Sequence, residues 1–268
     1  MTKRQDYANG RLQLTRRSGI AAITFNAPDK HNAMSLGMWQ ALGEICEALA
    51  TDNSLRVLTL TGAGDRAFVA GADISEFGET RSDASKAAAY GAAVAHAEDA
   101  LEALPVPTLA LIRGYCIGGG LGIAMRCDLR LARDDARFAI TPAKLGLGYG
   151  YDGVAQLHRR LGHALTADVL FSGRKLSADE AHAKGICDFV YPRGSFDAAC
   201  ADYVSTLASN APLTIRAVKY ALIELAKLEG GRDRAAADAL VRSCFDSADY
   251  AEGQRAFAEK RTPRFEGH

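Results

Sequence analysis

The chain has 268 residues, 48% of them hydrophobic, and Lys+Arg and Asp+Glu balance at 32 each. That length buries a real core in one large domain or two small ones. The even balance excludes a global field that would recruit nucleic acid or an anionic membrane, while leaving room for a local basic patch.

No run approaches the ~18 apolar residues of a membrane span. The opening MTKRQDYANG has no apolar stretch after its charges, which is not a signal-peptide pattern. Six cysteines (Cys46, Cys116, Cys127, Cys187, Cys200, Cys244) lack CxxC spacing, so reduced buried thiols in a cytoplasmic protein are expected rather than disulfides or zinc ligands.

In chain order, Leu12–Thr15 and Ile20–Phe25 flank Ser18-Gly19 and predict a hairpin. Ser35 stands where an N-cap belongs, ahead of Met38, Leu42, Ile45 and Leu49 at helical spacing. Arg56–Thr61 predicts a strand ending in Gly62-Ala63-Gly64. An Ala-rich helix over Ser85–Leu104 is stopped by Pro105 and Pro107, and Thr108–Ile112 predicts the next strand. Cys127–Ala132 and Arg137–Ile140 are strand candidates around Arg133-Asp134-Asp135, and Gly185–Tyr191 closes this part. Alternating β and α elements predict an α/β core. The rest is helical in pattern: Phe196–Ser209, Leu213–Leu228, Arg234–Ser247 and Tyr250–Lys260. The chain thus divides into a core over 1–195 and a helical region over 196–268, with no linker that would make them independent.

Two glycine-bearing segments carry the chemistry. Gly62-Ala-Gly-Asp-Arg-Ala67 after a strand has the GxGxxA form of a dinucleotide fingerprint, which would make the chain a dehydrogenase. That fingerprint must open a helix, whereas Ala67-Phe68-Val69 continues extended to Gly71. The second segment, Arg113 to Asp128, runs a strand into Gly118-Gly119-Gly120 and then a helical pattern. Glycines at such a turn aim backbone N–H groups outward with the helix dipole behind them. A tight turn for close helix–strand packing is the alternative.

Together these segments resemble the enoyl-CoA hydratase/isomerase (crotonase) family. Ala67-Phe-Val-Ala-Gly-Ala-Asp-Ile74 is similar to its AFxAGAD segment and Gly114-Tyr-Cys-Ile-Gly-Gly-Gly120 to its GxxxGGG segment. Asn26 to Ala33 resembles its NxP…NA stretch, and Phe257-Ala-Glu-Lys-Arg261 its FxEKR tail. The resemblance implies a spiral of ββα units with a helical C-terminal region that trimerises, as a homotrimer or a dimer of trimers. It implies acyl-CoA as substrate, with coenzyme A arriving as part of that substrate and no separate cofactor or metal. It also implies an oxyanion hole made by the backbone N–H groups of Ala72 and Gly119. Ala70, Phe257 and Lys260 would contact the nucleotide.

The chain departs from that pattern where hydratases of the family carry two glutamates. Those positions hold Gly122 and Ala143, and the isomerase carboxylate aligns with Gly150. Lys144, Tyr149, Tyr151 and Asp152 remain nearby, in a loop that resembles methylmalonyl-CoA decarboxylases, although those have a histidine at Ala72. A CoA-thioester lyase of decarboxylase type is therefore expected, with Tyr149 and Asp152 as candidate catalytic groups. A hydratase or isomerase using other residues, or a silent acyl-CoA binding protein, are the alternatives. Tyr149 as pocket lining and Asp152 as a helix cap are the plainer roles for those two. His96, on the Ala-rich helix, is expected at the surface or in packing. Glu76 and Glu79 follow the first segment, where either faces substrate or solvent.

Overall fold

The structure, a computed structural model, describes residues 3–80 and 82–268. It opens with three antiparallel strands, β1 (Lys3–Tyr7), β2 (Leu12–Arg17) and β3 (Ile20–Phe25). The β2–β3 turn is Ser18-Gly19, both with positive φ (49° and 77°), as a two-residue hairpin turn matching strand twist requires. Leu12, Leu14, Ile23 and Phe25 are fully buried while the residues between them are partly exposed, the period of two that the sequence shows. β1 has no such period. Its Lys3, Arg4 and Asp6 are exposed, so it is a charged edge strand that sequence pattern alone does not reveal.

Next come α1 (Leu36–Ala50), β4 (Val57–Gly62), β5 (Ala67–Val69), α2 (Phe77–Thr80) and α3 (Ala84–Glu102). Ser35 caps α1, its hydroxyl accepting from the Met38 N–H. Then follow β6 (Thr108–Ile112), β7 (Tyr115–Ile117), α4 (Gly119–Arg126), β8 (Leu129–Arg133), β9 (Arg137–Ala139) and α5 (Tyr151–Ser172). The chain continues through β10 (Leu176–Ser177), α6 (Ala178–Ala183) and β11 (Phe189–Tyr191). It ends in α7 (Phe196–Ser209), α8 (Pro212–Leu225), α9 (Arg234–Phe245) and α10 (Ala248–Glu259). Gly185–Tyr191 is strand only in its last three residues. α5 begins at Tyr151 and runs on to Ser172, through a non-helical Gly162.

Among the described residues the strands form two sheets, ordered β1-β2-β3-β4-β6-β8-β11 and β10-β9-β7-β5. From β3 to β11 the large sheet is parallel, and β5, β7 and β9 are parallel in the small one. Successive strand pairs β4/β5, β6/β7 and β8/β9 each step from the large sheet to the small one before a helix follows. That is the expected ββα repeat.

The core lies on the inner face of the large sheet, where Leu58, Leu60, Ala110 and Ala132 meet Phe68, Phe138 and Trp39. On the outer face the alternating residues Val57, Leu109 and Leu131 pack under Phe196, Cys200 and Val204 of α7. A sheet covered on both faces explains why its strands read as apolar runs. Each fully buried Val, Leu or Phe contributes roughly 1.5–3 kcal/mol. All six cysteines are free thiols and five are buried; burial pushes Cys127 up to about 12. Among the described residues no helix is long and apolar enough to cross a membrane.

Candidate active site

Parallel pairing of β5 with β7 (Ala67↔Tyr115, Val69↔Cys116) brings the chain beyond each strand side by side. Gly71 (φ 110°) and Gly118 (φ 55°) stand at this junction, and a Cβ on Gly118 would lie 3.6 Å from the Gly71 Cα. Both positive φ values and the close approach call for glycine. The Met34 N–H donates to Gly71 O at 2.8 Å and the Asp73 N–H to Met34 O at 2.8 Å, so Ala72 is bracketed with its own N–H turned elsewhere. Gly119 is the first residue of α4, where helix geometry offers the N–H no acceptor. Among the described residues neither N–H donates within the chain. Two spare donors thus follow two adjoining glycines, one at the positive end of a helix dipole.

Their surroundings are held firmly. Asn32, fully buried, accepts from the Ala27 N–H and donates to Ala63 O and Ala67 O. Asp73, also buried, is bound by Lys30 Nζ at 2.7 Å. A Cβ on Gly119 would stand 3.0 Å from the Trp39 ring, whose Nε1 donates to Tyr90 Oη.

One helical turn into α4 lies a group that sequence reasoning passes over. Glu98, on α3 and only 8% exposed, points its carboxyl at Gly122: a Cβ there would lie 2.8 Å from Glu98 Oε1. The other oxygen, Oε2, accepts from Arg126 Nε at 3.3 Å. Arg126 in turn pairs with Glu102, and with Asp99 at 3.2 Å. Burial pushes the Glu98 carboxyl up to about 7, against the lowering effect of Arg126. Tyr149 is close enough for the two groups to influence each other, and its phenol is held neutral by burial and by the Glu98 charge.

Comparison with known proteins gives the family. The sequence profile of the enoyl-CoA hydratase/isomerase family matches residues 15–268. The chain belongs to that family. It is 33% identical over 260 residues to (E)-benzylidenesuccinyl-CoA hydratase of Thauera aromatica, covering 92% of this chain and 96% of that one. It is 34% identical over 268 residues to carnitinyl-CoA dehydratase of Proteus mirabilis, covering 96% and 98%. Among solved structures, an enoyl-CoA hydratase/carnithine racemase of Magnetospirillum magneticum superposes with a TM-score of 0.89 at 36% identity, covering 98% of this chain and 97% of that one.

Within this member of the family the predicted groups fall in different places. Ala72, Gly119, Gly122 and Tyr149 lie around the junction and the Glu98 carboxyl. Tyr149 lays its ring over Gly153, where a Cβ would stand 2.8 Å from it. Ala143 and Lys144 are exposed, the Lys144 chain lying along Gly173. Gly150 is the N-cap of α5 with no side chain to cap it, and Asp152 sits exposed within the first turn, so Asp152 is not the cap that sequence offers as its plainer role. Tyr151 is 85% exposed.

His96 lies exposed on α3, its ring against Gly43 of α1 and 3.5 Å from Glu47. Glu76 accepts from the Leu36 N–H and so tethers the start of α1; Glu79 is exposed. Ala70 is partly buried and its N–H donates to His31 O. Phe257 is 88% exposed and Lys260 ends α10 in the left-handed region.

A signal for Glu98 was present in the sequence. Val94, Ala97 and Leu101 mark the inward face of α3 at helical spacing, and Glu98 falls on that face. A carboxylate on an apolar stripe requires a partner, and Arg126 twenty-eight residues away supplies it.

Proposed function

We propose that this protein is a CoA-thioester enzyme that holds a thioester enolate between the Ala72 and Gly119 N–H groups. The two unpaired donors at the Gly71/Gly118 junction carry that reading. Forming a carbanion beside a thioester places negative charge on the thioester oxygen. Two fixed donors at that oxygen lower the barrier by roughly 3 kcal/mol each. Ala70, Phe257 and Lys260 are assigned to the nucleotide end of coenzyme A. The relatives named above are a hydratase and a dehydratase, and addition or elimination of water across the acyl Cα–Cβ bond is the reaction we place first.

Decarboxylation of a malonyl-type thioester is the second reading, favoured by the neutral Tyr149 hydroxyl beside the same space. It ranks second because a substrate carboxylate there would face the Glu98 carboxyl, and like charges so close raise one another's pKa. The assembly we propose is a trimer or a dimer of trimers. Val218, Leu222, Leu225 and Leu228, three to four residues apart along α8 and just past it, are each more than half exposed and need apolar partners.

The test is a panel of 2-enoyl-, malonyl- and methylmalonyl-CoA thioesters with products identified by mass spectrometry. A 3-hydroxyacyl product supports the first reading, and release of CO2 the second. No product from any member would leave a silent acyl-CoA binding protein and overturn both.

A further inference from the structure

Gly122 opens α4 toward α3, and what fills the opening is a carboxyl. Glu98 Oε1 stands 2.8 Å from where a Gly122 side chain would begin, and among the described residues it accepts no hydrogen bond within the chain. Gly122 follows Gly119 by three residues on one helix. The carboxyl therefore faces the helix surface about 4.5 Å along the axis from the Gly119 N–H. A thioester whose oxygen sits on that N–H has its α and β carbons within about 4 Å of the same oxygen, on the scale of that step. No side chain at residue 122 intervenes. Arg126 holds Oε2, fixing the carboxyl's rotation and leaving Oε1 toward the opening. Resting on the enolate reading above, we infer that Glu98 is the acid–base catalyst of this site, a single carboxyl serving both proton transfers of water addition.

The Glu98 carboxylate takes a proton from water as the water oxygen bonds to the β carbon, and the double-bond electrons move onto the thioester oxygen, giving the enolate. The enolate then collapses, its α carbon taking that proton from the Glu98 carboxyl. Water has been added across the double bond and the carboxylate is restored. Dehydration is the reverse.

A buried ion pair that only braces α3 against α4 is the competing role, and Glu98→Gln separates the two. Glutamine keeps the shape and a hydrogen-bonding oxygen for Arg126 but takes no proton. With a 2-enoyl-CoA in D2O, wild-type protein should give a 3-hydroxyacyl product carrying one α-deuterium. Glu98→Gln should lower kcat by at least about 100-fold with KM within about threefold. Glu98→Asp, which keeps the acid on a shorter arm, should fall between them. Circular dichroism establishes that each variant is folded. Should Glu98→Gln not fold, the combination of Glu98→Ala with Gly122→Glu returns a carboxyl to the same space from the facing helix. It should restore at least about tenfold over Glu98→Ala alone.

A folded Glu98→Gln with wild-type kcat, or no gain from the added Gly122→Glu, overturns the inference while the enolate reading stands. An inactive wild type across the whole panel overturns that reading and this inference with it.

Discussion

Gly122 on α4 and Glu98 on α3 share one space: a Cβ on the glycine would come within 2.8 Å of the carboxyl oxygen. Either residue can fill it, and here the longer side chain reaches across from the neighbouring helix. Gly122→Ala should therefore act on Glu98 before it acts on the fold. Alanine is the better helix former by roughly 1 kcal/mol, yet the carboxyl held by Arg126 must shift to admit the methyl. We expect the melting temperature to change by only a few degrees and turnover of a 2-enoyl-CoA to fall at least about tenfold. A folded Gly122→Ala with undiminished turnover would show that the carboxyl's placement is indifferent.

The large sheet was legible in the sequence because its strands alternate Val57, Leu58 and Leu109, Ala110 between two covered faces, and the Ser18-Gly19 turn declared the hairpin. The glycine segments were legible for a backbone reason, since the junction tolerates only Gly71 and Gly118. β1 was not, since Lys3, Arg4 and Asp6 leave it without an apolar alternation, and β10 has only two residues. Glu98 was legible as a carboxylate on the apolar face of α3, but its role was not. Its partner and its opening lie on another helix, and no spacing along the chain relates residue 98 to residues 122 and 126.

The raised carboxyl also leaves a mark on stability. Glu98 shifts from 4.5 to about 7 on folding, so the native state holds a proton that the unfolded chain releases. Native stability relative to Glu98→Gln should therefore be greatest below pH 4.5. It should decline as pH rises through about 7, by roughly 3 kcal/mol in all, and be flat above. Urea titrations of both proteins across this range measure the difference. A difference that stays constant or grows with pH contradicts the buried, raised carboxyl.

Catalysis should follow the same group with the opposite sign. Either direction of the proposed reaction begins with Glu98 as carboxylate, so kcat should rise with pH through an inflection near 7. The charges facing it are Arg126 from α4, Asp99 and Glu102 from α3, and the neutral Tyr149 phenol from the loop before α5. Arg126→Gln removes the cation that lowers this pKa most and should move the inflection upward. An unmoved inflection would assign it to another group.

Gly119→Pro tests the oxyanion donor without needing a new side-chain function. Proline is tolerated at a first helical position but has no N–H. Loss of one such donor should lower kcat by about 10²–10³-fold. The Trp39 ring stands close, so folding is verified by near-ultraviolet circular dichroism. Full activity in a folded variant removes Gly119 from the chemistry.

The apolar row on α8 sets the expected assembly. Light scattering at micromolar concentration should give three or six times the chain mass, and Leu222→Asp, placed mid-row at 60% exposure, should shift it to monomer. A monomeric wild type would leave the row without the proposed partner.

Water addition in D2O is the most direct test of the central claim, because one product reports both the addition and the protonation of the α carbon. Wild-type protein given a 2-enoyl-CoA thioester should form a 3-hydroxyacyl-CoA with a single deuterium at the α carbon, at a rate that falls at least about 100-fold in Glu98→Gln. Formation of that product at equal rates in both proteins would contradict the role given to Glu98. Its complete absence, with CO2 released from malonyl-CoA instead, would contradict water addition itself.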